Sequence, residues 1–367
     1  MLIDRSFWRN KRVLVTGHAG FKGTWLCEWL TKIGADVIGF GRSTPRHPSI
    51  FDMLELDHRI DSIIGDIRDR DLLQRTCERR QPEIIMHLAA QPLVRLGLEQ
   101  PQDTFETNVQ GSVNVMEAAR SSKALQAMMI VTSDKCYEPS NDPRVENDRL
   151  GGKDPYSASK ACTELAAASF TKSFFGDGQV VGIATARAGN VLGGGDMGKD
   201  RLLPDLVQAL LRDGDAKIRF PDAIRPWQHV LDALHGYILL VQSLALLPAH
   251  YTGPWNFGPD GREEWTVAQI ADEIVAQLGA GRWHQSQEGP SLETKTLRLT
   301  STKSQQELGW APKLDIRDTI AWTIEGYRSL FTDQDVSWIP RQIDRFEQLP
   351  LPVIDPQAKP EVFNAVA

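Results

Sequence analysis

Tyr156 and Lys160 stand four residues apart. On a helix that spacing puts both side chains on one face. A cation beside a phenol favours the phenolate, so a tyrosine with a free pKa of about 10 becomes a base near neutrality. Upstream lies the run Thr132-Ser133-Asp134-Lys135-Cys136-Tyr137. The hydroxyl of Ser133 can share the proton that Tyr156 takes. Asp134 and Lys135 add a second acid/base pair beside the first. Two proton-transfer pairs aimed at one substrate predict more than one chemical step.

Such residues need rigid elements to carry them. Arg12-Val13-Leu14-Val15-Thr16 is short and β-branched and reads as a buried parallel strand. Gly17-His18-Ala19-Gly20-Phe21-Lys22-Gly23 follows directly. Residues 24–33 then carry Trp25, Leu26, Trp29, Leu30 and Ile33 at helical spacing. Strand, glycine turn and helix form the setting of a dinucleotide site. In it Gly17 permits the tight turn, Gly20 lets backbone approach a pyrophosphate, and Gly23 lets the helix pack closely. The helix N-terminus offers N–H groups and the positive end of a dipole to the anion.

Strands are expected at 12–16, 36–40, 61–65, 83–88, 127–132 and 180–187, and helices at 22–33, 69–79, 101–121, 155–175 and 204–213. This alternation predicts an α/β fold, a Rossmann-type doubly wound parallel sheet. Active groups then belong at the carboxyl ends of the strands, where Thr132 to Lys135 fall. Residues 1–195 read as the nucleotide-binding domain, with some later segments returning to it. Residues 196–331 read as a smaller, mostly C-terminal substrate-binding domain. Residues 332–367 hold five prolines and little periodicity, and read as a tail laid over the surface or a disordered one.

Composition narrows the function. The net charge of −7 and the lack of a basic run argue against nucleic acid as a partner, while a local basic cleft can still take a phosphorylated small molecule. Cys27, Cys77, Cys136 and Cys162 show no metal spacing and read as reduced thiols of a cytoplasmic protein. No metal site is expected. Met1 to Asn10 is too polar for a secretory signal. The most apolar stretch, residues 229–247, is interrupted by Asp232, His235, Gln242 and Ser243 and is too short and polar to span a membrane.

The G-x-x-G-x-x-G spacing, together with Tyr156 and Lys160, resembles the extended short-chain dehydrogenase/reductase superfamily over residues 8 to 330. Gly65-Asp66-Ile67, His87-Leu88-Ala89-Ala90 and Asn108 match in the same order. The resemblance implies a nicotinamide cofactor held by Gly17, Gly20, Phe21, Lys22, Gly23, Asp66, Ile67, Ala89, Ala90, Tyr156 and Lys160, with Asn108 supporting the site. It points to NAD. The segment Gly39-Phe40-Gly41-Arg42-Ser43 has no acidic residue for a ribose 2′-hydroxyl, and Arg42 at the adenine side can meet a 2′-phosphate, which leaves NADP open.

Further strings resemble the CDP-glucose 4,6-dehydratases: Ser133-Asp134-Lys135-Cys136-Tyr137, Leu150-Gly151-Gly152, Arg187-Ala188-Gly189-Asn190-Val191, Gly193-Gly194-Gly195-Asp196 and Ile224-Arg225-Pro226-Trp227-Gln228-His229-Val230. The resemblance implies conversion of CDP-D-glucose to its 4-dehydro-6-deoxy product, the entry to a deoxysugar. Tyr156 with Ser133 takes the 4-hydroxyl proton. Lys135 is the base at C5 and needs a lowered pKa, expected from Lys160 nearby. Asp134 is the acid for the departing 6-hydroxyl. Asn190, Arg201, Arg225 and Gln228 are candidates for the diphosphate and sugar, an arginine fork matching phosphate oxygens. Two places depart from the pattern: Pro139 to Arg149 is short and polar, and Met197 stands where tryptophan is common. A GDP-mannose-type dehydratase, an epimerase and a non-catalytic dinucleotide sensor are the alternatives. The superfamily's habit implies a homo-oligomer, dimer or tetramer, joined through the helices near 101–121 and 155–175.

Overall fold

Val13 to Val15 have no exposed surface, which the apolar run from Arg12 to Thr16 anticipates for a strand covered on both faces. In the computed structural model, which describes residues 2–43, 48–175, 181–198, 201–259, 264–286 and 295–351, this strand is β1 (Arg12–Thr16). It lies inside a seven-stranded sheet with β2 (Asp36–Gly41), β3 (Asp61–Ile64), β4 (Ile84–His87), β5 (Ala127–Val131), β6 (Gly182–Ala188) and Gly253–Phe257. Short strands in a second region are β7 (Asn190–Leu192), β8 (Asp215–Ile218) and β9 (Trp227–His229); Gly253–Phe257 is β10, and β11 is Arg282–Gln285. The order in the large sheet is β10-β6-β5-β4-β1-β2-β3, and every pairing is parallel. The chain reverses direction across the sheet beside β1, the point where doubly wound folds open a crevice for a ligand.

Two apolar layers cover the sheet. On one face Trp25, Trp29 and Leu30 of the helix Phe21–Lys32 pack with the helix Val230–Leu246. On the other, Leu73, Val115, Met116 and Ala167 pack under Ile85, Met128 and Ile130. A smaller unit has its own core of Leu206, Val207, Leu210, Ile270, Ile274, Ile320 and Ile324. It contains the two-stranded pairs β11-β8 and β7-β9.

Three elements differ from the sequence reading. The apolar helix read near 229–247 is a core helix, with Val230 to Leu244 buried, but β10 after it, which the sequence reading did not place, adds the outermost strand of the large sheet. The helix expected over 101–121 is broken by a π-turn at Glu106–Gln110 between Pro101–Phe105 and Gly111–Ala119. Lastly, much of 332–367 is not a surface tail. Trp338–Gln348 is a helix whose Trp338, Ile339, Ile343 and Phe346 are fully buried. The indole of Trp338 lies where a Cβ on Gly194 or Gly326 would sit 2.6 or 2.8 Å away, so those two glycines make its slot. Residues 352–367 lie outside the described residues.

Candidate active site

The phosphate turn depends on two glycines for the fold and a third for something else. Gly17 has φ +75°, and a Cβ there would come 2.9 Å from the Ala89 backbone. A Cβ on Gly23 would strike the Gly17 carbonyl at 2.1 Å. Gly20, in contrast, has ordinary extended backbone, and its Cβ would meet only the Gly17 oxygen at 3.2 Å. It faces open space at the head of the helix Phe21–Lys32, a cradle that fits a pyrophosphate. Ala89 donates its N–H to Thr16 Oγ1 at 3.2 Å, which fixes the β4 end, including Ala90, against the turn. Ile67 packs on Gly111. The Asp66 carboxylate is held by Arg68 at 2.7 Å, and hydrogen bonding from Arg68 lowers its pKa. Arg42 is exposed at the end of β2.

At the end of β5 the chain turns sharply. Ser133 caps the short helix Asp134–Cys136 by accepting from the Lys135 N–H at 3.2 Å, and its hydroxyl donates to Asp134 Oδ1 at 2.9 Å. Asp134 is buried, and its Oδ2 has no hydrogen-bond partner. Burial raises its pKa, opposed by Lys135, the Ser133 hydroxyl and Arg225. A neutral carboxyl suits an acid. Tyr156 opens the helix Pro155–Phe170, started by Pro155 and capped by Asp154, which accepts from the Ser157 N–H at 3.0 Å. The structure brings Ser133, Asp134, Lys135 and Tyr156 to one wall of a cleft of about 340 Å³, with Lys22, Asn190, Arg201 and Arg225 around it.

One electrostatic expectation changes. The phenol of Tyr156 is not lowered by Lys160. Burial pushes its pKa up to about 12, with the Ser133 hydrogen bond and Arg201 acting downward and Asp134 upward. The Lys160 ammonium turns instead to the Val131 carbonyl at 3.2 Å. Its pKa falls to about 8 through burial and the charge of Lys22. Lys22 is lowered to about 8 as well, by burial and Arg201. The structure thus pairs the helix lysine with the lysine of the phosphate turn.

Gln228 is corrected too. It donates to the Phe257 carbonyl at 2.7 Å in the packing between β9 and β10 and does not line the cleft. Arg225 does line it, anchored by the Ile224 and Lys295 carbonyls at 2.8 and 3.1 Å. Arg201 pairs with Asp196 at 2.5 Å. Asn108 sits behind the wall: it accepts from the Gln91 N–H at 2.8 Å and donates to Ser159 Oγ at 2.9 Å, and Ser159 donates to the Tyr156 carbonyl at 2.7 Å. The π-turn carries Asn108 to this position, a common use of such bulges. No group of residues suited to a metal occurs among the described residues.

Residues 13–252 match the NAD dependent epimerase/dehydratase family. The chain belongs to that family. A CDP-glucose 4,6-dehydratase of Salmonella typhimurium is 42% identical over 344 residues, covering 91% of this chain and 95% of that protein. A probable dTDP-glucose 4,6-dehydratase of Sinorhizobium fredii is 26% identical over 86% of this chain and 93% of that one. Among solved structures, the DesIV dTDP-glucose 4,6-dehydratase of Streptomyces venezuelae, with NAD bound, superposes with TM-score 0.74 at 26% identity, covering 87% of this chain and 97% of its own.

For a member of this epimerase/dehydratase family, sequence reasoning passed over three residues at the site. Asp196 closes the string Gly193-Gly194-Gly195-Asp196, and its pairing with Arg201 gives it a role at the cleft. Tyr237, buried in the helix Val230–Leu246, has a phenol with no hydrogen-bond partner that feels the charges of Tyr156 and Asp134. Only its place among apolar neighbours was legible. Glu164 continues the stripe of Tyr156 and Lys160 at the same spacing of four, which was the available signal.

Proposed function

We propose that the chain is a sugar-nucleotide 4,6-dehydratase that converts CDP-D-glucose to CDP-4-dehydro-6-deoxy-D-glucose and water. The observation that carries this reading is the Asp134–Lys135 pair on the same cleft wall as Ser133 and Tyr156. Oxidation alone needs only Ser133 and Tyr156. The likeness to the Salmonella enzyme across nearly both whole chains supports the substrate.

NAD is the cofactor. Gly17, Gly20, Phe21, Lys22 and Gly23 would hold its phosphates, with Asp66, Ile67, Ala89, Ala90, Tyr156 and Lys160 along the rest. When bound, NAD supplies the acceptor and later donor of the C4 hydride, and its positive ring favours the phenolate. Tyr156 takes the 4-hydroxyl proton, with Ser133 sharing it. The 4-ketone acidifies C5–H, and Lys135 takes that proton. Asp134, whose pKa burial raises, gives its proton to the 6-hydroxyl, which leaves as water. Lys135 returns a proton to C5 when C6 is reduced. Arg201 and Arg225, which line the cleft beside Asn190, would hold the diphosphate.

The test is incubation with CDP-, GDP-, UDP- and dTDP-hexoses and detection of a 4-keto product. With CDP-glucose deuterated at C4, the label should appear at C6 of the same product molecule. Label retained at C4 of an epimerised hexose would replace this reading with an epimerase.

For assembly, we read a two-fold homodimer through the helices near 101–121 and 155–175. Phe105, Leu165 and Phe174 there are exposed, apolar surface that such a pairing would cover. Sedimentation of a single 41 kDa species would overturn it. No helix among the described residues is long and apolar enough to cross a membrane.

A further inference from the structure

Beneath the catalytic turn lies an ion pair that the chemistry does not use. Glu164 and Arg187 meet at 2.7 Å, each side chain 3% exposed. Glu164 accepts from Thr132 Oγ1, from Thr185 Oγ1 at 2.7 Å and from Arg187. Arg187 donates to the Tyr137 hydroxyl at 2.7 Å and to the Glu146 carbonyl at 2.9 Å, and its guanidinium lies 4.8 Å from the Tyr137 ring centre. Tyr137 in turn donates to Asn256 Oδ1 at 2.7 Å.

A buried ion pair is poor value for stability, because desolvating two charges offsets their attraction, and apolar pairs of equal volume do as well. Its contacts suggest another use. Thr132 is the residue before Ser133, and Tyr137 follows Cys136. Glu164 stands on the same helical stripe as Tyr156 and Lys160.

We propose that the Glu164–Arg187 pair is a clamp that fixes the catalytic turn to the catalytic helix: Glu164 holds the first residue of the segment, Thr132, and Arg187 holds the last, Tyr137. Ser133, Asp134 and Lys135 are thereby presented to Tyr156 in one register. Glu164, Arg187, Thr132 and Tyr137 are positioning residues. They touch no reacting atom.

Removing either charge would strand the other in the core, so such variants test folding rather than the clamp. Two threonines give a cleaner contrast. Thr132→Val and Thr185→Val each delete one hydroxyl bond to the same carboxylate, but only Thr132 belongs to the catalytic turn. In Thr132→Val, amide exchange of Ser133 to Cys136 should quicken about tenfold or more, since a hydrogen bond to a charged group is lost locally. Its kcat should fall between about tenfold and a hundredfold with KM unchanged, the signature of lost alignment. Thr132→Ser should restore both. Thr185→Val should leave exchange in the turn and kcat as in the intact protein. Equal behaviour of the two valine variants, or no rescue by serine, overturns the clamp. The kinetic arm rests on the dehydratase reading and the exchange arm does not. An intact chain that forms no 4-keto product, yet keeps the exchange contrast, would support the clamp and remove the dehydratase reading.

Discussion

Ser133, Asp134, Lys135 and Tyr156 share one wall of the cleft, yet the proposed chemistry divides them between two steps. Tyr156→Phe removes the base for C4 oxidation. It should abolish product and prevent any reduced nicotinamide from forming. Asp134→Asn and Lys135→Met keep that base. In single turnovers they should accumulate reduced cofactor, seen by its near-ultraviolet absorbance, while 4-keto-6-deoxy product falls by about a hundredfold or more. Product formed by either variant at the intact rate would take that residue out of the elimination. The phosphate turn divides in a similar way. Gly20→Val puts a branched side chain into open space, blocked by the protein only at the Gly17 carbonyl, 3.2 Å from the Cβ. Its melting temperature should stay within a few degrees while cofactor affinity drops at least about tenfold, measured by calorimetry. Gly23→Ala should instead damage the fold, since its Cβ would lie 2.1 Å from the Gly17 oxygen. The tight turn read for Gly17 and the close packing read for Gly23 are what their contacts show, while the role read for Gly20 rests on the affinity measurement. The sequence could not separate a glycine demanded by the protein from one demanded by a ligand.

Strand and helix periodicity made six of the seven large-sheet strands legible, and the covered ones among them, such as β4 and β5, are continuous apolar runs. It missed β10, whose Gly253-Pro254-Trp255-Asn256-Phe257 lacks such a run and earns its place by pairing along β6. The π-turn at Glu106–Gln110 was invisible for a different reason. One extra residue per turn leaves composition unchanged and shows only in what Asn108 reaches. The pairing of Tyr156 with Lys160 was read from spacing alone, and spacing sets the face but not the partner. The ammonium found the Val131 carbonyl. At the C-terminal end the prolines hid a helix. Trp338, Ile339, Ile343 and Phe346 do recur on one face, but four apolar residues in a proline-containing stretch resemble a tail until their partners are known. Trp338 fills the slot between Gly194 and Gly326, and Gly194 also accepts from Trp25 Nε1 at 3.2 Å. This helix therefore braces the loop that leads to Asp196 and Arg201. Trp338→Ala should cost about 3–5 kcal/mol in urea unfolding. It should also weaken substrate binding more than cofactor binding if, as proposed, Arg201 holds the substrate. A loss under about 1 kcal/mol would return this segment to the status of a tail.

Across the whole molecule, several ionisable groups are buried away from the chemistry, and their shifts set how stability follows pH. His87, His229 and His235 are each lowered to about 3, mainly by burial. Asp232 is raised to about 7, again by burial, opposed by the backbone N–H groups of Lys313 and Leu314 and by the Lys313 charge. The signs oppose one another. A histidine with a depressed folded pKa loses stability as pH falls below its unfolded value of 6.5, since the unfolded chain binds the proton. An aspartate with a raised folded pKa loses stability as pH rises from its unfolded value of 3.8 toward 7. At pH 5 the unfolded chain holds about three protons on the imidazoles and the folded chain about one on Asp232, so unfolding takes up about two. These four groups should then cost about 3 kcal/mol of stability for each unit that pH drops near pH 5, and contribute little change between about pH 7 and 8. Asp232→Asn separates the two contributions. The amide oxygen can still accept from the Lys313 N–H, which Asp232 Oδ1 does at 2.7 Å, while the buried charge is gone. The variant should be more stable than the intact protein at pH 8, by a few kcal/mol. That advantage should shrink steadily as pH drops from about 7 toward 4, where Asp232 is neutral in both states. The acid-side slope at pH 5 should steepen from about two protons to about three. Urea unfolding at half-unit pH intervals reads both quantities. An advantage that does not change with pH would mean that Asp232 is neutral throughout, and that the pH profile belongs to the histidines alone.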